Sequence, residues 1–236
     1  MKIEVRNLVK SYQNKLVLCI PELVIDSAGL IAIVGNNGAG KTTFLRLLLD
    51  LVQADEGFVF SNGNKVFRDE SWKTYTGSYL DESFVIDFLT PQEFIKFVGA
   101  TYEMTDEHIG ASMQSFGAFF HDEDVWHPKK LIRDFSKGTV QKIGIAAALL
   151  SGPKVLILDE PFAHLDPTSQ IWLKRSLINL NKDKGTTIII SSHNLNHVVE
   201  ISSRIIVIEK GGIVKDIENS GGGKEVEQQL QSYFAV

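Results

Sequence analysis

The densest chemistry in the chain lies in Gly35-Asn36-Asn37-Gly38-Ala39-Gly40-Lys41-Thr42-Thr43. Glycines at 35, 38 and 40 let the backbone wrap closely and turn its N–H groups inward, towards anionic oxygens. Lys41 adds a point charge suited to the β- and γ-phosphates of a nucleotide, and the Thr42 hydroxyl is a hard oxygen ligand for Mg²⁺. A second group, Val155-Leu156-Ile157-Leu158-Asp159-Glu160-Pro161, ends an apolar run on two carboxylates. Asp159 is placed to hold Mg²⁺ through water, and Glu160 to orient or deprotonate an attacking water. The plainer alternatives are a glycine turn that happens to end in Lys-Thr and a carboxylate pair that caps a strand before Pro161.

These residues need elements to hold them. Leu30-Ile31-Ala32-Ile33-Val34 is a continuous apolar run, as in a strand buried on both faces, and it leads straight into the glycines. Thr42 to Leu51 reads as a helix with apolar Phe44, Leu45, Leu47, Leu48 and Leu51. Strand, glycine loop and helix in that order are the context in which the P-loop pattern, Gly-x-x-x-x-Gly-Lys-Thr, holds phosphate on a helix N-terminus. Val155–Leu158 reads as another buried strand, so Asp159 opens onto the ligand crevice of an α/β sheet. Further strands are expected at 2–9, 16–25, 57–60, 76–80, 186–190, 204–208 and 213–217, with helices at 168–182 and 194–200. Strand and helix alternating in this way indicate a mostly parallel sheet.

The stretch from about 84 to 150 differs. Thr90-Pro91-Gln92-Glu93 and Thr105-Asp106-Glu107 are helix starts, and strand signals are few, so it reads as a helical insertion. Lys210-Gly211-Gly212 reads as a hairpin turn, and Gly221-Gly222-Gly223 as a flexible joint before a short terminal helix.

The bulk properties narrow the classes. With 236 residues, 44% apolar and 22% charged, the chain fits one large domain or a domain with a subdomain. A net charge of −5 argues against a nucleic-acid partner. The one cysteine, Cys19, excludes an internal disulfide framework and reads as a small buried hydrophobe. The alternating Met1–Arg6 segment is not a signal peptide, and no apolar run approaches the roughly 18 residues of a membrane span. The chain is expected to be soluble, any membrane role coming through a partner.

A third motif carries a family resemblance. Phe135-Ser136-Lys137-Gly138-Thr139-Val140-Gln141-Lys142 is similar to the Leu-Ser-Gly-Gly-Gln signature, with its tail, of the ATP-binding cassette (ABC) family. It opens an apolar helix that Ser136 is suited to cap. With the two earlier motifs, the sequence resembles ABC transporter ATP-binding subunits, exporter-like branch. The resemblance implies an α/β fold: a P-loop NTPase core with a mostly parallel sheet, an N-terminal antiparallel β subdomain and a helical subdomain insertion. One ABC ATPase domain would cover 1–236. Residues 1–83 and 151–220 would form the core with the β subdomain, 84–150 the helical signature subdomain and 224–236 a C-terminal helix.

The resemblance also implies roles. ATP would lie on Tyr12, stacked on adenine, and on residues 35–43. Ser136 and Gly138 would contact the γ-phosphate bound by another subunit, a second copy or a paralogous cassette, in a head-to-tail dimer. Asp166, in Leu165-Asp166, would lie in the loop that crosses this interface. His193, after Ser191-Ser192, would be the switch that touches the γ-phosphate, acting with Lys41 and Glu160 in catalysis. Glu82 stands where Gln is commonest and would join Thr42 and Asp159 at Mg²⁺ or order water. By itself Tyr12 is equally an edge-strand aromatic, and Asp81-Glu82-Ser83 equally a solvated acidic turn. Lys137 and Thr139 depart from the signature's Gly and Gln, and Asn36 stands where Pro is frequent.

The favoured function is the energising subunit of a transporter, an exporter by resemblance, held at the cytoplasmic face by a separate transmembrane permease. That partner would dock beside Glu82 and residues 84–104, which include Phe84, Phe88, Phe94, Phe97 and Val98. The alternatives are a soluble non-transport ABC ATPase and an ATP-dependent switch with weak hydrolysis.

Overall fold

A computed structural model describes residues 1–121, 123–126, 129–219 and 224–234. In chain order the strands are β1 (Ile3–Tyr12), β2 (Lys15–Ile25), β3 (Leu30–Val34), β4 (Glu56–Ser61), β5 (Asn64–Lys65), β6 (Thr76–Tyr79), β7 (Val155–Leu158), β8 (Thr187–Ser192), β9 (Arg204–Glu209) and β10 (Gly212–Glu218). The helices are α1 (Lys41–Leu48), α2 (Pro91–Thr101), α3 (Asp106–Ser115), α4 (Gly117–Phe120), α5 (Lys137–Leu149), α6 (Pro167–Lys184), α7 (Leu195–Val198) and α8 (Lys224–Phe234).

Two sheets form. One is antiparallel, ordered β2-β1-β4-β5, and the other runs β10-β9-β3-β8-β7-β6. The second is parallel except for its edge strand β10. In β1–β2 the turn residues Gln13 and Asn14 both have positive φ. Two such residues match the twist of a tight hairpin, although the pair lacks the usual glycine.

β3, β7 and β8 are buried along their whole length, which is why their sequences do not alternate. Period 2 instead divides them between two cores. Ile31, Ile33, Ile157 and Ile189 pack with Phe44 and Leu45 of α1 and with the antiparallel sheet. Leu30, Ala32, Val34, Leu156, Leu158, Ile188 and Ile190 pack with Leu173 and Leu177 of α6. Between Tyr79 and Val155 the described residues hold no strand. Their helices enclose a third core around Phe94, Ile95, Ile109, Phe120 and Ile143. Thr90 begins α2 with a reciprocal capping box to Glu93, Pro91 standing in the first turn, and Thr105 caps α3, so both expected starts are real. α5 joins this helical part to the sheet: a Cβ at Gly144 would come within 2.1 Å of the Tyr79 ring.

Two expectations fail. α1 ends at Leu48, Asp50 turns the chain at positive φ, and Leu51 is exposed beyond the helix. Cys19 is exposed, because β2 alternates and its neighbours Leu18 and Ile20 take the inward face. The expected joint at Gly221-Gly222-Gly223 lies outside the described residues.

Candidate functional site

β3 delivers the glycine loop. Gly38 and Gly40 adopt φ of 80° and 111°, which an L side chain resists, and a Cβ at Gly35 would lie 2.2 Å from the Ile208 carbonyl oxygen. Asn36 and Asn37 face solvent, while Ala39 is buried and Thr43 half-buried. Lys41 opens α1 as a buried cation. Its Nζ donates to the Gly35 and Asn36 carbonyl oxygens at 2.7 and 3.4 Å and lies 3.6 Å from Glu160 Oε1.

Strand register brings the rest together. Leu158 pairs with Ile190, so the next residues, Asp159 and Ser191, are neighbours; Val34 pairs with Ser192, beside His193. Thr42 Oγ1 donates to Asp159 Oδ2 at 2.5 Å, and the Ser191 hydroxyl donates to Asp159 Oδ1. Burial pushes the Asp159 carboxyl up from its ordinary value, and the hydrogen bonds from Ser191 and Thr42 offset only part of that rise. The Glu160 N–H donates to Ser191 Oγ at 2.9 Å, and Glu160 sits at a φ of 45° that its side chain disfavours. Glu160 Oε2 lies 2.9 Å from His193 Nδ1. The catalytic candidates Lys41, Glu160 and His193 thus form one chain of contacts. Thr42 and Asp159 form a pair of hard oxygen donors, and Mg²⁺ is usually held by one or two such side chains plus substrate phosphates. Among the described residues no group of three or more His, Cys, Asp or Glu side chains is placed to hold a metal.

A second group surrounds Ser136, which caps α5: its Oγ accepts from the Thr139 N–H at 3.2 Å. Gly138 presses on the loop after Pro161, where a Cβ would come within 2.5 Å of the His164 carbonyl oxygen. Asp166 caps α6 through the Ser169 N–H at 2.9 Å and pairs with Lys142 Nζ at 2.9 Å. Burial tends to raise the Asp166 carboxyl, but the Ser169 hydrogen bonds and Lys142 outweigh it and hold the group well below the usual carboxylate range. Gln141 Nε2 donates to the Glu160 and Pro161 carbonyl oxygens at 3.3 and 2.9 Å and ties this group to the first.

Tyr12 ends β1 with a partly exposed ring, 5.3 Å from the Lys10 ammonium. Glu82 starts a short 3₁₀ turn, and its Oε1 lies 3.8 Å from Lys137 Nζ in an exposed pair. Sequence reasoning gave no role to Ser191, Gln141, Lys142 or Glu123. Register reveals the first; Gln141 and Lys142 stand in the signature tail; Glu123 lies outside every motif.

A buried strand ending in a glycine loop, with Lys41, Thr42 and the strand-terminal Asp159 around it, defines a P-loop nucleotide-binding α/β protein. The family model described as "ABC transporter" matches residues 21–163, and the chain belongs to that family. An overlapping model, "AAA domain, putative AbiEii toxin, Type IV TA system", matches 131–200. The chain is 32% identical over 219 residues to the lantibiotic transport ATP-binding protein SrtF of Streptococcus pyogenes, covering 93% of this chain and 92% of that one. It is 30% identical over 224 residues to the uncharacterized ABC transporter ATP-binding protein sll0415 of Synechocystis, with 90% of this chain matched, and it spans 63% of that relative's length. The structure titled "Dimeric Structure of MJ0796, a Bacterial ABC Transporter Cassette" superposes with a TM-score of 0.83 at 23% identity, over 93% of this chain and 99% of that one, and shares the fold. No helix among the described residues is long and apolar enough to cross a membrane.

Proposed function

We propose that this chain binds and hydrolyses ATP as the energising subunit of an ABC transporter, coupling closure and opening of a cassette dimer to export through a separate transmembrane subunit. The observation that carries the reading is Glu160, held between Lys41 and His193 at the mouth of the glycine loop. ATP takes the loop amides of residues 35–43, with Tyr12 against the adenine. Lys41 exchanges its two carbonyl partners for phosphate oxygens. Thr42 and Asp159, with Glu82 as a further ligand, would hold Mg²⁺, which would supply charge neutralisation on the phosphates. Glu160 orients the attacking water and takes its proton, and His193 steadies Glu160 and reaches the γ-phosphate. Ser136 and Gly138 close over the nucleotide of an opposing cassette, a second copy or a paralogue, with Asp166 in the loop between them. Loss of the γ-phosphate removes that bridge, and the dimer opens.

The kinship with a lantibiotic transport protein favours export. Phe88 and Phe97 are exposed and suit a permease contact at the cytoplasmic face, whereas Phe94 belongs to the helical core. The test is Glu160→Gln. Turnover should fall by about 10²–10⁴-fold, the contribution of a positioned general base, while ATP still binds and drives a stable dimer seen by sedimentation. Wild-type turnover in that variant would end the role given to Glu160.

A further inference from the structure

The signature turn contains a chain of hydroxyl groups whose direction can be read from proton counting. Ser136 Oγ and Thr139 Oγ1 are 2.8 Å apart, and Thr139 Oγ1 also bonds Glu123 Oε2. A carboxylate only accepts, and a threonine hydroxyl has one proton to give. Thr139 therefore gives its proton to Glu123 and can only accept from Ser136. In the Ser136–Thr139 bond the donor is therefore Ser136, whose Oγ also accepts from the Thr139 N–H. The other oxygen of Glu123 is fixed by Lys142 Nζ at 2.8 Å, and the Lys142 side chain is only 4% exposed. Lys142 in turn holds Asp166.

We propose that Glu123 is a positioning residue of the signature turn: by taking the Thr139 proton it commits the Ser136 hydroxyl to Thr139, so an arriving phosphate must compete for the Ser136 proton. This rests on the reading that Ser136 contacts nucleotide held by an opposing cassette. A hydroxyl at position 139 thus acts as a brake on closure, which sets a threshold of ATP for the dimer to form.

Two substitutions release the proton by different routes. Thr139→Val removes the acceptor while keeping the shape. In Glu123→Gln, Lys142 can only donate, so it selects the amide oxygen and turns the amide NH₂ towards Thr139. Thr139 then accepts from that amide and can donate to Ser136, which frees the Ser136 proton. The measurement is the ATP concentration giving half-maximal dimer, by sedimentation of the full chain carrying Glu160→Gln. Each substitution should lower it by about three- to tenfold, the worth of one hydrogen bond no longer in competition. Thr139→Ser keeps the hydroxyl and should leave it unchanged.

A purely structural role for Glu123 and Thr139 predicts the opposite sign, a higher ATP requirement as the turn loosens. An unchanged or raised requirement in both releasing variants overturns the proposal. So does a shift in Thr139→Ser equal to that in Thr139→Val. Ser136→Ala in the same background separates the two readings, since it should raise the requirement about tenfold or more. No effect there defeats the assignment of Ser136 itself, whereas a loss there without gain in the releasing variants defeats only the positioning of Ser136 by Glu123.

Discussion

The glycine-loop group and the signature group are built by different means. Asp159, Glu160 and His193 stand just beyond the C-terminal ends of parallel strands set side by side by sheet register, and Lys41 and Thr42 open the helix that the glycine loop delivers from the strand next to them. Ser136, Gly138 and Asp166 stand on loops and helix starts, and side-chain bonds hold them through Glu123, Lys142 and Gln141. The first group has a scaffold that does not depend on its functional side chains. In the second, the side chains given a role under the proposal also hold the fold together, so damage there reaches the fold first.

The largest effect that could break this contrast is expected at Lys142→Met. Removing a buried cation from two carboxylates should cost about 3 kcal/mol of stability, the low end of the range because Glu123 and Asp166 both reach water. ATP binding by the monomer should survive, as measured by titration below the melting temperature. A loss of ATP binding in proportion to stability would merge the two groups.

Lys41→Ala should do the reverse. Nucleotide affinity should drop about 100-fold, in line with loss of charged hydrogen bonds, with the melting temperature nearly unchanged. Undiminished ATP binding would contradict the phosphate site.

Asp166→Asn is a smaller and pH-dependent lesion. Asn keeps the helix cap but loses the charge facing Lys142, at about 1 kcal/mol near neutral pH for a pair whose carboxylate is half exposed. The folded-state pKa of Asp166 is depressed, so its contribution is full above the ordinary aspartate value and is lost as pH falls through the lower folded one. The stability gap between wild type and Asp166→Asn should therefore close on acidification, and a gap that widens would refute the pairing.

Smallest of all is Lys137→Ala. The Glu82–Lys137 pair is exposed and 3.8 Å long, so its loss should cost less than about 0.5 kcal/mol by denaturant titration. A larger cost would mean that Glu82 is locked to the signature turn rather than available to the nucleotide.

The same contrast governs what the sequence makes legible. The glycine loop and the Asp159-Glu160 pair are contiguous runs in which residue type and spacing state the chemistry, and the apolar runs before them state the strands. Thr90, Thr105 and Ser136 are visible as helix caps because capping acts within four residues. Ser191 becomes meaningful only when β8 is set beside β7. Glu123 reaches Thr139 and Lys142 across a loop, and no periodicity marks it. Cys19 departs from its expected burial because its apolar surroundings mask the alternation that turns it outward. Leu51 falls outside the expected helix because the turn at Asp50 has no glycine to announce it. Phe88 and Phe97 share the apolar character of Phe94, and only the packed helices separate them from it.

The outward-facing sulfur of β2 has a practical corollary. Cys19 is the one cysteine in the sequence, it is anchored in a sheet opposite Val9, and its N–H donates to the Gly211 carbonyl at 2.8 Å. A nitroxide attached there gives every copy a single spectroscopic marker without further mutagenesis. If two chains pair as proposed, the distance between two such markers becomes a ruler for how far they travel in each nucleotide state.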